Sequence, residues 1–162
     1  MEGARPFRDA DRPQCVALLR QAFDAARALR GGPAALAALA GEPGRSGPHE
    51  PDAGALVASW RSDTIHHVLV GTVDDEVVGV AAGHYVRGGN AKIGVVDVVY
   101  VEPDARGVGV GTAMAQSLLD WFAAEGCHGV DAPALPGDRE SKQLFESFGL
   151  SARLLVLHRA LP

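Results

Sequence analysis

The residues of most chemical interest lie between Val95 and Thr112. A valine-rich run, Val95-Val96-Asp97-Val98-Val99-Tyr100-Val101, passes through Glu102-Pro103-Asp104-Ala105 into Arg106-Gly107-Val108-Gly109-Val110-Gly111-Thr112. Glycines at alternate positions carry no Cβ, so the backbone amides there can approach a ligand closely. The apolar spacing that follows predicts a helix from about Val110 to Glu125. The first amides of a helix lack internal partners and carry partial positive charge. A strand-to-helix junction of this kind suits a phosphate or diphosphate. Arg106 at its mouth adds a charge-assisted donor.

Two other phosphate loops fit less well. A Walker loop ends in Gly-Lys-Ser/Thr, but Gly111 is followed directly by Thr112. A dinucleotide fingerprint needs Gly-x-Gly-x-x-Gly/Ala, and Met114 stands where its last small residue belongs. Asp131 lies about 20 residues on, where a ribose ligand is expected in that motif, but the strands before the loop read as antiparallel. A glycine-rich turn without a ligand is the plain alternative.

Asp97 is the ionisable side chain within the apolar run from Ile93 to Tyr100. A carboxylate there is either functional or paired. It serves as a proton acceptor, or it faces solvent or pairs with an Arg or His of a neighbouring strand. His66-His67, His84, His128 and His158 show no metal-ligand spacing beyond adjacency, and no metal is expected. Surface or hydrogen-bonded core roles are the ordinary reading of these histidines, although His66, His67 or His84 could line the side of the sheet where a substrate sits. Trp60 and Trp121 read as core or dimer-contact residues.

The surrounding pattern predicts how this segment is held. Arg5 to Asp11 reads as a short strand and turn, and Asp11 as the cap of a helix with apolar positions from Cys15 to Leu29. Gly31-Gly32-Pro33 ends that helix. Ala34–Ala40 is a short helix, 41–54 a loop, and Asp52 precedes a helix through Trp60. His67–Val73, Glu76–Val86 and Ile93–Val101 are strands joined by the turns Asp74-Asp75 and Gly88-Gly89-Asn90, hence antiparallel neighbours. The third is valine-rich and expected to be buried on both faces. Gly126 stops the helix after the glycine loop, His128–Leu135 is a strand, and Asp138 caps a helix closed by Gly149. Leu154–Leu161 is a final strand.

Composition sets the limits. A chain of 162 residues, 47% hydrophobic and 22% charged, fits one globular domain with a real core. With 15 basic and 20 acidic residues, net charge −5, and no long basic run, nucleic acid is not an expected partner. No apolar run spans a bilayer, so no membrane association is expected. Cys15 and Cys127 sit in no ligand or redox spacing, and no basic-then-apolar leader is seen. Reduced thiols and a cytoplasmic location are the expectation.

Val101-x-Pro103 followed by Arg106-Gly-x-Gly-x-Gly resembles the signature segment of the GNAT-type N-acetyltransferases, and the order of elements is similar to that family over nearly the whole chain. The resemblance implies a single acyl-CoA N-acyltransferase domain over 1–162. It implies an α/β fold with a mixed, largely antiparallel central sheet, splayed at the fourth strand and flanked by helices. The splay would let the backbone of Val99, Tyr100 and Val101 pair with the pantetheine arm of acetyl-CoA like an added strand. Arg106, Gly107, Val108, Gly109, Val110, Gly111 and Thr112 would hold the pyrophosphate, with Arg139, Ser141 and Lys142 adding to the cofactor side. The acceptor would be a primary amine of a small molecule or a protein, and a homodimer is an open possibility.

The same resemblance implies direct attack of an unprotonated amine on the thioester. A backbone amide near Val99–Val101 would stabilise the developing oxyanion, and Asp97 would relay the ammonium proton, often through water. The family often places a tyrosine as general acid in a Tyr-x-x-x-Gly-Phe-like stretch. Here that stretch is Phe145-Glu146-Ser147-Phe148-Gly149-Leu150, so Phe145 has no hydroxyl to donate. Water, Ser141, Tyr100 or Tyr85 remain as donors. An acyl-CoA-binding sensor that lost turnover is the competing reading.

Overall fold

The computed structural model describes residues 1–41 and 51–159. Five strands form one sheet in sequential order: β1 (Glu2–Pro6), β2 (His66–Val73), β3 (Glu76–Gly88), β4 (Ala91–Val101) and β5 (Gly129–Asp131). The first four pair antiparallel and β5 joins β4 in parallel. The β2–β3 turn places Asp74 and Asp75 at φ 49° and 69°. Two successive positive φ values are what a tight hairpin needs to match strand twist, and aspartate tolerates them.

Helices cover both faces of the sheet. On one side lie α1 (Arg12–Arg27), α2 (Gly32–Leu39) and α3 (Ala53–Ser62), whose Leu18, Phe23, Leu36, Val57 and Trp60 pack on Val68, Val70, Val80 and Ala82. On the other lies α4 (Val110–Ala124), whose Val110, Met114, Leu118 and Phe122 pack on Leu69, Ala81 and Val96. Phe122 rests directly on strand backbone. A Cβ at Gly94 would fall 2.5 Å from Phe122 Cδ1, and one at Gly83 2.7 Å from Phe122 Cζ. Glycine at these positions sets how closely the C-terminal end of α4 approaches β3 and β4, and Gly71 does the same at its N-terminal end, where a Cβ would fall 2.3 Å from Val110 Cγ1. The last helix, α5 (Arg139–Ser147), buries Phe145 in the same cluster. No described helix is long and apolar enough to cross a membrane.

Two bulges interrupt the ladders. Gly71 pairs with Gly79 and Thr72 with Val77, which leaves Val78 of β3 without a counterpart. Ala82 pairs with Val98 and Gly83 with Val96, which leaves Asp97 of β4 without one. A bulge re-aims side chains and strengthens local twist.

Several expectations are adjusted. Asp11 stands at the start of α1 but makes no side-chain cap. Its carboxylate instead accepts from Arg5 Nη1 and Nη2, at 2.7 and 2.8 Å, and from Arg8 N at 2.7 Å. The strand expected over His128–Leu135 is only Gly129–Asp131, because Pro133 and Pro136 remove the amide donors a longer ladder requires. Across β4, Gly94 and Val96 are buried and the rest are half-buried, since β5 covers only Ile93–Val95. The final strand expected over Leu154–Leu161 does not form over 154–159, and its last two residues lie outside the described residues. A strand needs a ladder partner, and no described strand runs beside this segment. Its Leu154–Leu157 side chains stay 75–86% exposed.

Candidate active site

The loop between β4 and α4 is open and its amides are unspent. After a short turn at Pro103–Ala105, the chain passes through Gly107 at φ 79° and Gly109 at φ 96°, left-handed values that favour glycine. Gly109 is the N-cap of α4 and offers no side-chain cap. Among the described residues, no backbone amide from Gly107 to Thr112 donates to a main-chain acceptor outside regular elements. The first bond into the helix is Ala113 N to Gly109 O at 2.9 Å. A Cβ at Gly107 or Gly109 would meet nothing within 4 Å, so the loop is open where side chains would otherwise stand. At Gly111 a Cβ would make ordinary contact with Val101 Cγ2 at 3.6 Å. Thr112 is exposed and Val110 is buried under the sheet.

Beside the loop, the outer edge of β4 has no strand partner. Val99, Tyr100 and Val101 pair with Ala81, Val80 and Gly79 of β3 on one side. On the other, β5 has already diverged, for its pairing ends at Val95, and Val101 O accepts from Arg106 Nε. The sheet therefore opens beyond Val95.

Arg106 is engaged within the protein. Its Nε donates to Val101 O and its Nη1 to Glu140 Oε2, both at 3.0 Å, and the guanidinium lies over the Tyr100 ring. It ties the end of β4 to the first turn of α5. In that same turn Ser141 N donates to Asp138 Oδ1 at 3.1 Å, so Asp138 caps α5 as expected. Lys142 reaches along the helix to Glu146. Of two surface grooves, one lies away from the loop, bordered by Arg20, Asp24, Arg27 and Asp52. The other reaches Ala105 and Val108 of the loop from the side of Asp74, Glu76, Glu102 and Asp104, whose carboxylates would repel a diphosphate on that side.

Asp97 is not alone. His66, His84 and Asp97 meet on the α1–α3 side of the sheet. His84 Nδ1 lies 2.9 and 3.0 Å from the two Asp97 oxygens. A carboxylate only accepts, so His84 Nδ1 carries a proton and donates it to this bond. His66 Nε2 stands 3.9 Å from Asp97 Oδ2. His66 Nδ1 donates in turn to Asp63, 2.9 and 2.8 Å from its oxygens. The Asp97 side chain is only 8% exposed, against 15% for His66 and 23% for His84. The bond to Asp97 raises the His84 pKa above its ordinary value and outweighs burial, which acts to lower it. His67, on the opposite face, stacks on Trp121 of α4, and burial lowers its pKa.

The histidines are what reading the residues alone did not bring together. The turn at Gly88–Asn90 sets His84 opposite Val95, so Asp97, two residues on, lies diagonally on the same face. That signal was available from hairpin register. His66 was not accessible that way. An unbroken β2–β3 ladder would place it opposite Gly83, and the extra residue Val78 shifts the pairing so that it faces His84. Among the remaining proton donors, Tyr100 gives its hydroxyl to Gln21 Oε1 at 3.3 Å, while Tyr85 lies against Trp121 and under Lys92. Phe145 is core, as expected.

A family model described as acetyltransferase (GNAT) family matches residues 34–150, most of the chain and all of the site. The chain belongs to that family. By sequence, none of the curated proteins matches it. Among solved structures, a predicted acetyltransferase from Clostridium acetobutylicum, determined with acetyl-CoA, is similar at TM-score 0.70 and 13% identity, with 99% of this chain and 96% of that chain covered. A ribosomal-protein-alanine N-acetyltransferase from Brucella melitensis biovar Abortus 2308 is similar at TM-score 0.70 and 17% identity, with both chains covered in full. Glucosamine-6-phosphate N-acetyltransferase from Arabidopsis thaliana is similar at TM-score 0.68 and 15% identity, covering 100% of this chain and 99% of that one. At these identities the likeness establishes the GNAT fold: a mixed α/β domain around an open, mostly antiparallel five-stranded sheet.

Proposed function

We propose that this GNAT chain transfers an acetyl group from acetyl-CoA to a primary amine by direct attack on the thioester. The observation that carries this reading is the row of unspent amides from Gly107 to Thr112 beside the bare edge of β4. The amides take the diphosphate, aided by the dipole of α4. Arg106 joins them by exchanging Glu140 for phosphate. That exposed ion pair is weak, and a diphosphate is the stronger partner. Val99–Val101 offers main-chain groups to the amide-bearing arm of the donor, and one of its amides faces the oxyanion. Ser141 and Lys142, at the start of α5, border the same side.

His84 and Asp97 divide the proton work. With Nδ1–H held by Asp97, the neutral His84 tautomer carries its lone pair on Nε2. The acceptor ammonium gives its proton to that nitrogen, directly or through water, and the freed amine attacks the carbonyl carbon. Asp97 stabilises the imidazolium that results, so it is a positioning residue and His84 the base. The tetrahedral adduct collapses with release of the CoA thiolate, which takes the remaining extra proton from the attacking nitrogen, directly or through water. A thiol pKa of about 8.5 makes that leaving group tolerable without a strong acid, which accommodates Phe145.

The test is release of free thiol from acetyl-CoA across a panel of small amines and amino-terminal peptides. Turnover with at least one acceptor, lost in His84→Gln, supports the reading. Tight acetyl-CoA binding with no turnover on any acceptor favours the second reading, an acyl-CoA-binding module, which the missing hydroxyl at Phe145 keeps in play.

A further inference from the structure

Three side chains from three adjacent strands converge in the half-buried cluster. One ligand atom each from His66, His84 and Asp97 lies within 4.8 Å of the others. Zinc binds imidazole nitrogen and carboxylate oxygen at about 2.0–2.2 Å in a tetrahedron, which sets neighbouring ligand atoms about 3.3–3.5 Å apart. The separations here, measured to the same oxygen, Asp97 Oδ2, are 3.0 Å from His84 Nδ1 and 3.9 Å from His66 Nε2, and they straddle that spacing. A second observation points the same way. Asp63 accepts from His66 Nδ1, which leaves Nε2 as the ring nitrogen that faces Asp97. A carboxylate behind a histidine is the arrangement that orients metal-binding imidazoles.

We propose that His66 Nε2, His84 Nδ1 and a carboxylate oxygen of Asp97 form a binding site for a zinc ion, with Asp63 as the outer carboxylate, and that zinc bound there halts acyl transfer. Two imidazoles and a carboxylate are ligands of intermediate softness that suit zinc and not magnesium. Three protein ligands leave a fourth position for water. The halting follows from proton bookkeeping. Zinc takes the lone pair of His84 Nδ1, and the ring's one proton then resides on Nε2. That nitrogen can no longer accept a proton from the acceptor ammonium. Binding stands on geometry alone, whereas inhibition rests on the proposed role of His84.

The test begins with metal-free protein titrated with Zn2+ against a chromophoric chelator, without acetyl-CoA or acceptor. One equivalent should bind. His66→Ala and His84→Ala should each weaken it at least tenfold, and Asp63→Asn by roughly tenfold or more while leaving all three ligands in place. Co2+ should give the visible absorption of a four- or five-coordinate site, and Mg2+ should not displace zinc. Circular dichroism and thermal unfolding of each variant report folding, and Asp63→Asn stands as the mildest change. Zinc binding unchanged in both histidine variants would overturn the site. Zinc binding at one equivalent without loss of thiol release, restored or not by chelator, would overturn the inhibition. Intact zinc binding in a protein that never turns over would instead count against acyl transfer.

Discussion

The glycine loop and the histidine–aspartate cluster solve two recognition problems by opposite means. The loop works by subtraction. It removes side chains at alternate residues and presents main-chain amides that no acceptor outside regular elements takes among the described residues. The cluster works by addition. It gathers long polar side chains from β2, β3 and β4 and spends each on another. The first needs only a local backbone path and the close seat of α4 on the sheet. The second depends on the register of two hairpins at once. A contiguous backbone site tolerates drift elsewhere in the fold, whereas a site assembled across strands is only as good as the ladders beneath it.

That contrast can be broken most sharply at the cluster. His84→Gln should lower kcat by about 10²- to 10⁴-fold with acetyl-CoA affinity unchanged, the range expected for loss of a general base. Asp97→Asn should fall in the same range or somewhat above it in residual rate. Equal losses in donor affinity would show that the two regions are not separable. Gly109→Val should do the reverse. At φ 96° a β-branched residue is strained by about 1–3 kcal/mol, and its side chain enters the space before the amides. Calorimetry should find acetyl-CoA binding weakened about a hundredfold, with the helical circular dichroism retained. Wild-type affinity in this variant would remove the loop from donor binding.

Smaller effects sharpen the dependence on the scaffold. Gly94→Ala puts a methyl carbon against Phe122. Overpacking of this kind costs about 1–3 kcal/mol, and the melting temperature should drop by several degrees. Farther from both regions, the Arg5 guanidinium holds the Asp11 carboxyl below the usual carboxylate range, aided by the Arg8 amide and against burial. The stability from this pair is fully present above the unfolded carboxylate value of about 3.9 and is lost as pH falls through the lower folded value. Denaturant titrations between pH 6 and pH 2 should show an acid-side loss that is smaller in Asp11→Asn.

The unequal legibility of the two regions has the same origin. Gly107, Gly109 and Gly111 announce a backbone site because their meaning is local, and the antiparallel hairpins are legible from Asp74-Asp75 and Gly88-Gly89-Asn90. Asp97 stands out as a charge in an apolar strand. Its partners do not, because Val78 is an ordinary valine whose surplus position in the ladder nothing in its neighbours betrays. The same holds for Leu154–Leu157. Its composition reads as a buried strand, but composition cannot supply the neighbour a strand requires. Arg106 reads as a candidate phosphate ligand from its place before the glycines, while its hold on Val101 and Glu140 depends on where α5 comes to rest.

Asp97 occupies a surplus position in β4. Val96 keeps Gly83 and Val98 keeps Ala82 as neighbours, so excising that one residue would let the two halves of the strand close into an even ladder with every remaining side chain on its present face. The carboxylate has thus been threaded into a framework already complete without it. A single-codon insertion or deletion at this point would therefore add or remove the charge while leaving the strand pairings on either side as they are.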